Sequence, residues 1–210
     1  MQGSRRASGF TMIEMAITMA VFAILVALGV PSMTTWIRNN KVRTVADSLQ
    51  TGLRLAQAES LRRSRQVVFA MTNSTTPNTI LPLPAVAGGL SWAIYTVPSM
   101  TDGTEIPEFV ASGVLSNAST SVLVAPSNGV STVCFNSMGR LVANTSANVI
   151  AVTGGDTCVQ PSGTPPVQTF AISLAGADRP LQVNLSLGGQ VHMCDPGVGG
   201  LTDAHPEGCP

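Results

Sequence analysis

Hydrophobic positions divide the chain into three stretches with different periods. Residues 10–30 form a run of 21 in which Glu14 is the only charge, preceded by a short leader carrying Arg5 and Arg6. As a helix this run rises about 32 Å, close to the hydrocarbon thickness of a bilayer. Beyond Pro31 the pattern changes: Val42, Val45, Ala46, Leu49, Leu53 and Ala56 recur at steps of three, one, three, four and three. That is the stripe of an amphipathic helix, with Arg38, Lys41, Arg43, Arg54 and Arg62 on its other faces. One helix over 10–65 would be about 84 Å long. Gly29 and Pro31 weaken the join, because proline removes a backbone donor and crowds the preceding turn, so a bend or local melting is expected there.

From residue 66 the period shortens. Runs at 66–71, 92–97, 130–135, 148–152, 168–174 and 181–187 are rich in β-formers and separated by Gly, Pro, Ser, Thr and Asn. Gly188-Gly189 reads as a hairpin turn into 190–193, and the polar, proline-bearing stretch 72–89 reads as a loop. The predicted class is α+β: a long N-terminal helix, transmembrane in its first half and amphipathic in its second, packed on a β-rich C-terminal head.

Charge adds to this picture. The chain is neutral overall, yet residues 1–65 hold nine Lys/Arg against three Asp/Glu, and residues 66–210 hold two against eight. Arg5 and Arg6 put the N-terminus on the cytoplasmic side and the head outside. A charge in the bilayer core costs about 3 kcal/mol on insertion scales, so Glu14 calls for a partner. A cleaved secretory signal fits poorly: its apolar segment would contain a carboxylate, and the nearest small-residue site, Ala27-Leu28-Gly29, runs into Pro31. Ser4-Arg5-Arg6 is only a faint twin-arginine signal.

Gly9-Phe10-Thr11-Met12-Ile13-Glu14-Met15 resembles the class III signal of type IV pilins and type II secretion pseudopilins. The resemblance implies that a membrane-embedded prepilin peptidase/methyltransferase cuts after Gly9 and methylates the freed amine of Phe10. Pro31, at position 22 counted from Phe10, matches the helix-disturbing proline of that family. Trp36-Ile37-Arg38-Asn39-Asn40-Lys41-Val42-Arg43 and Leu55-Ala56-Gln57-Ala58-Glu59-Ser60 are similar to the FimT/GspH group of minor pilins and pseudopilins. Beyond residue 72 the likeness is scattered, at Phe135-Asn136-Ser137-Met138-Gly139-Arg140 and at 188–194.

The implied organisation is a leader at 1–9, a transmembrane helix at 10–30, an amphipathic periplasmic helix at 31–65 and a globular head at 66–210. The implied function is structural: the subunit polymerises through its N-terminal helix into a type IV pilus or a type II secretion pseudopilus. Its partners would be the peptidase, other pilins or pseudopilins, and the lipid of the bacterial inner membrane. Glu14 would pair with the Phe10 amine of a neighbouring subunit and set axial register. Pairing with its own terminus four residues away, or snorkelling to the interface, are the alternatives.

The remaining chemistry points away from catalysis. No nucleophile elbow, phosphate loop, HExxH or paired-carboxylate pattern is present, and no cofactor is expected. His192-Met193-Cys194 with His205-Pro206-Glu207-Gly208-Cys209 could hold zinc in principle. An exported location favours Cys194–Cys209 as a disulfide, which leaves Cys134 and Cys158 for a second bridge pinning a β-hairpin, one of three possible connectivities. Asp102, Glu105 and Glu108 cluster in a loop and could bind calcium or face water. Some FimT-like pilins act in DNA uptake and share a C-terminal Gly-Arg-x-Arg stretch; the matching positions here, Gly189-Gln190-Val191-His192, lack both arginines. The head is acidic, and Arg62, Arg63 and Arg65, which could touch nucleic acid or lipid headgroups, read as a solvated helix end, so DNA is not the expected ligand.

Overall fold

The computed structural model describes residues 9–78, 81–100, 104–115 and 122–209, with Pro31 described by its backbone alone. The leader residues Arg5 and Arg6, and Asp102, lie outside the described residues. The chain divides into two units at Ile37/Arg38.

Helix α1 (Met12–Arg63) runs through both units without interruption. The bend or melting expected at Pro31 does not break it, because a helix that loses one backbone donor keeps its other ladder bonds. In the first unit the helix bears only exposed large apolar side chains, among them Met12, Met19, Phe22 and Leu28.

In the second unit the helix meets a β-rich head. Strands β1 (Val67–Thr72), β2 (Ser91–Thr96), β3 (Phe109–Val114), β5 (Thr132–Phe135) and β6 (Leu141–Val142) form one sheet in the order β3-β2-β1-β5-β6. Strands β4 (Leu123–Pro126), β7 (Val167–Ser173), β8 (Leu181–Ser186), β9 (Val191–Gly200) and β10 (Gly208–Cys209) form the other, in the order β10-β9-β8-β7-β4. All described pairs are antiparallel except β9 with β10.

Side chains alternate across a strand, and β1 has both faces covered, so all six of its residues are buried. Val67, Phe69 and Met71 join the core that α1 shares with both sheets. Val68 and Ala70 face a second core with Tyr95, Leu83 and Cys134. Every residue of the helical stripe, from Val42 to Ala56, is at most 5% exposed and belongs to the first core.

The strand expected at 148–152 is instead helix α2 (Ala147–Thr153). Its β-branched residues suit a strand, but Val149, Val152 and Thr153 fall on one helical face, and that face is buried in the second core. Gly154 closes the helix in the left-handed conformation (φ 74°), its N–H donating to the Ile150 carbonyl. That backbone favours glycine, which here also lies close to the Leu83 carbonyl. The loop expected at 72–89 sends Leu83 into the same core, where its N–H donates to the Val152 carbonyl.

Two disulfides are formed among the described residues. Cys134–Cys158 (Cα–Cα 5.6 Å) joins β5 to the segment after α2, so it clasps the helical layer to the sheet rather than closing a hairpin. Cys194–Cys209 (Cα–Cα 5.0 Å) ties β9 to β10.

Candidate functional site

The N-terminal segment is built around a helix cap. Gly9, Phe10 and Thr11 precede α1. The Thr11 hydroxyl oxygen accepts the Glu14 backbone N–H at 3.3 Å, and the Thr11 carbonyl accepts the Met15 N–H at 3.2 Å. Thr11-Met12-Ile13-Glu14 therefore has the spacing of a capping box, a mechanical signal that sits inside the processing motif. The cap fixes the helix start, and with it the position of Glu14 in the first turn, where the helix dipole favours a carboxylate. Among the described residues the Glu14 carboxylate has no ionic partner. Phe10 is 79% exposed.

Beyond this cap the helix cannot satisfy itself. Uncovered apolar patches this long on a soluble protein mark an interaction with lipid or protein. The backbone is saturated by the helical ladder, leaving only side-chain burial to be supplied from outside.

At the other end of α1 the basic residues are engaged. Glu59 accepts hydrogen bonds from Arg62 (2.6 Å) and Arg63 (2.9 Å). These bonds, Arg62's first, hold its carboxyl at about 2, well below the usual carboxylate range. Arg63 also pairs with Glu108, and Arg65 with Glu105. Glu105 further accepts the Ser99 backbone N–H at 2.7 Å. The acidic loop thus serves as counter-charge to the helix end, which accounts for two of the three carboxylates considered for calcium. The same pairing removes Arg63 and Arg65 as free contacts for a nucleic-acid phosphate. Arg54 donates to the Val191 carbonyl at 3.1 Å.

Gly189-Gln190-Val191-His192 forms the β8–β9 turn and the start of β9. Gln190 and His192 are exposed, and neither carries a fixed positive charge. The zinc constellation is not assembled: Cys194 and Cys209 are bonded to each other, so neither sulfur is available as a thiolate.

A long helix with a bare apolar half, a capped acidic start and a β-rich head around the other half is the construction of a pilin-like subunit. The family model described as type II transport protein GspH matches residues 45–189, and the prokaryotic N-terminal methylation motif matches residues 4–30. The chain belongs to the GspH family, whose members are structural pilin and pseudopilin subunits rather than enzymes. Solved structures similar to it include the type IV minor pilin FimU of Pseudomonas aeruginosa PAO1, at 17% identity and a TM-score of 0.46, over 73% of this chain and 88% of that one. A second crystal form of FimU gives 15% and 0.44, over 72% and 90%. The minor pseudopilin EpsH of the Vibrio cholerae type 2 secretion system gives 11% and 0.43, over 75% and 98%. No curated protein matches the chain.

Proposed function

We propose that this chain is a minor pilin or pseudopilin subunit, made as a membrane-stored precursor and assembled through α1 into a type IV pilus or a type II secretion pseudopilus. The observation that carries this reading is the methylation motif at residues 4–30 leading into a helix whose apolar side chains have no cover. In this reading prepilin peptidase cuts between Gly9 and Phe10 and methylates the new amine. Residues 10–30 span the inner membrane with the N-terminus cytoplasmic and the head, residues 66–210, periplasmic. Extraction into a filament exchanges lipid for neighbouring helices around the same side chains.

Glu14 supplies the register. Its carboxylate sits one turn from the position where cleavage frees a positive amine, and a neighbouring subunit's Phe10 amine neutralises it in the low-dielectric bundle. Pro31 marks the point where one ladder bond is absent, so the helix is easiest to adjust there during packing.

The DNA-uptake alternative has less support: the turn at 189–192 lacks cations, and Arg63 and Arg65 already have carboxylate partners. A gel-shift measurement at low salt should show little binding of duplex DNA, and tight, salt-sensitive binding would reverse that ranking.

The processing step is tested by mass spectrometry of the mature protein. An N-terminus beginning with methylated Phe10 is expected. A chain beginning at Met1, or beyond Pro31, would remove the proposed subunit, because the amine that matches Glu14 could not form.

A further inference from the structure

The exported flank of the span carries a cluster of cations that the pilin reading does not use, and of which, among the described residues, only Arg38 makes a contact with the fold. Membrane proteins keep Lys and Arg mainly on the cytoplasmic side. Here the uncharged stretch 15–37 is followed directly by Arg38, Lys41 and Arg43, all exposed. At 3.6 residues per turn Arg38 and Lys41 stand on one side of α1, about 60° apart, and Arg43 stands on the other, about 140° from Arg38, all within about 7.5 Å of axial rise. Cations on both sides of the helix at one level suit a layer that flanks it rather than a ligand on one face.

The head adds a fourth cation to the same level. Its sequence, residues 66–210, holds only Arg140 and Arg179 against eight carboxylates. Arg179 lies in the β7–β8 loop, which is fastened to the start of the head's helical segment. The Asn39 side-chain oxygen accepts the backbone N–H groups of Asp178 (3.0 Å) and Arg179 (3.3 Å). Arg38 donates to the Gly176 carbonyl at 3.4 Å. Gly176 has φ 77°, and a Cβ there would stand 2.0 Å from the Arg38 guanidinium, so glycine is what allows this close approach. Even with Asp47 and Asp178 nearby, cations outnumber carboxylates four to two at this level.

Bilayer geometry identifies the partner. The 23 uncharged residues 15–37 rise about 34 Å, and at an ordinary tilt of about 20° they project about 32 Å, matching the hydrocarbon core. Setting the core there places Glu14 at one interface and Arg38, Lys41 and Arg43, the next charges along the sequence, in the opposite headgroup layer. Exposed Trp36, just before Arg38, is a residue type that favours that boundary.

We propose that Arg38, Lys41, Arg43 and Arg179 form a basic collar that binds acidic phospholipid headgroups of the outer leaflet and sets the depth at which the stored subunit rests. This rests on the membrane-stored reading above, and shifts its hydrophobic span from 10–30 toward 15–37. The attraction is electrostatic, and leaving the membrane for a filament requires its release.

The full chain, reconstituted in phosphatidylcholine bilayers with trace spin-labelled phosphatidylglycerol or phosphatidylcholine, provides the test. Phosphatidylglycerol should be preferentially immobilised, with roughly five-fold preference for each fully engaged cation at low salt, weakening as salt is raised. The quadruple variant R38Q/K41Q/R43Q/R179Q should bring the two lipids near parity, while R140Q should retain the preference. Because R38Q also loosens the Gly176 contact, K41Q/R43Q serves as a second variant; neither side chain has a hydrogen bond or ion pair among the described residues, and the preference should fall with the fold unchanged. Equal immobilisation by the unaltered chain, or an unchanged preference in both variants, would overturn the collar. So would collar-dependent binding of duplex DNA with no lipid preference. Methylated Phe10 with no lipid selectivity would sink the collar alone, whereas an unprocessed native chain that still selects phosphatidylglycerol would sink only the pilin reading.

Discussion

Glu59 lies in the stretch that carries the family resemblance, and its role here is electrostatic. Two arginines on the next turn of α1 hold its carboxyl at about 2, and Arg63 relays the charge to Glu108. The folded-state value lies below the ordinary value of 4.5, so the stabilisation is fully present above about pH 4.5 and is lost as pH falls through about 2. Glu59→Gln should therefore lower stability near pH 7 by about 1 kcal/mol, since Arg62 is largely exposed and solvent screens the pair. In urea unfolding the gap from the unaltered protein should narrow between pH 4.5 and 2; a gap independent of pH would show that the pairing does not contribute. The Glu59 pairs with Arg62 and Arg63 have ordinary helical spacing. The pairs of Arg63 with Glu108 and Arg65 with Glu105 are not legible in the sequence, where 105–108 reads as a loop with free acids, because ion pairs across long separations leave no local signal. The Thr11 cap is the opposite case: its spacing to Glu14 is plain in the chain.

At the scale of elements, the helical stripe is the most legible feature. Spacing alone picks out Val42, Val45, Ala46, Leu49, Leu53 and Ala56, and all are buried. Leu53→Ala should cost about 2–5 kcal/mol in denaturant unfolding; a loss under about 1 kcal/mol would mean the helix is not seated as described. Helix α2 departs from the expected strand because five residues with Val and Ile carry both periods, and only the second core decides between them. Strand β3 has no clear sequence signal because Ser112 and Gly113 weaken its pattern. The glycine has a packing reason: a Cβ at Gly113 would lie 2.5 Å from the Trp92 indole, and one at Gly52 on α1 would lie 2.8 Å from it. Trp92 thus fills the space between helix and edge strand, and its indole N–H donates to the Ser48 hydroxyl at 3.2 Å. Gly113→Ala should destabilise the head by about 1–3 kcal/mol through overpacking and shift the Trp92 fluorescence. An unchanged midpoint and spectrum would contradict this packing.

On the scale of the whole molecule, the α+β class is readable from the change of period near residue 66, while the division of the strands into two sheets is not. Sheet order depends on which strands the core brings together, and strands β4 and β6 are too short to announce themselves. The cysteines are readable as an export signature and their favoured pairing, Cys194–Cys209 with Cys134–Cys158, is the one formed, but that the second bridge clasps a helical layer instead of a hairpin comes from the fold. Cys134–Cys158 closes a loop of separation 24 and clasps the α2 layer, so C134A/C158A should lower stability by about 3 kcal/mol; an unchanged urea midpoint would show that the clasp does not hold this layer. The bare half of α1 is the feature that organises the rest. It leaves the subunit unable to cover its own apolar side chains, and the proposed storage in lipid and exchange of that lipid for other subunits both follow from this.

The central claim, that Glu14 meets a freed Phe10 amine inside an assembly, is tested most directly by the incorporation of Glu14→Ala into sheared filaments, measured against the unaltered protein and normalised to the amount in the membrane fraction. The expected result is a membrane-inserted, processed subunit with a folded head that is missing from the filaments. Incorporation at the unaltered level would contradict the electrostatic pairing and the assembly it is proposed to direct.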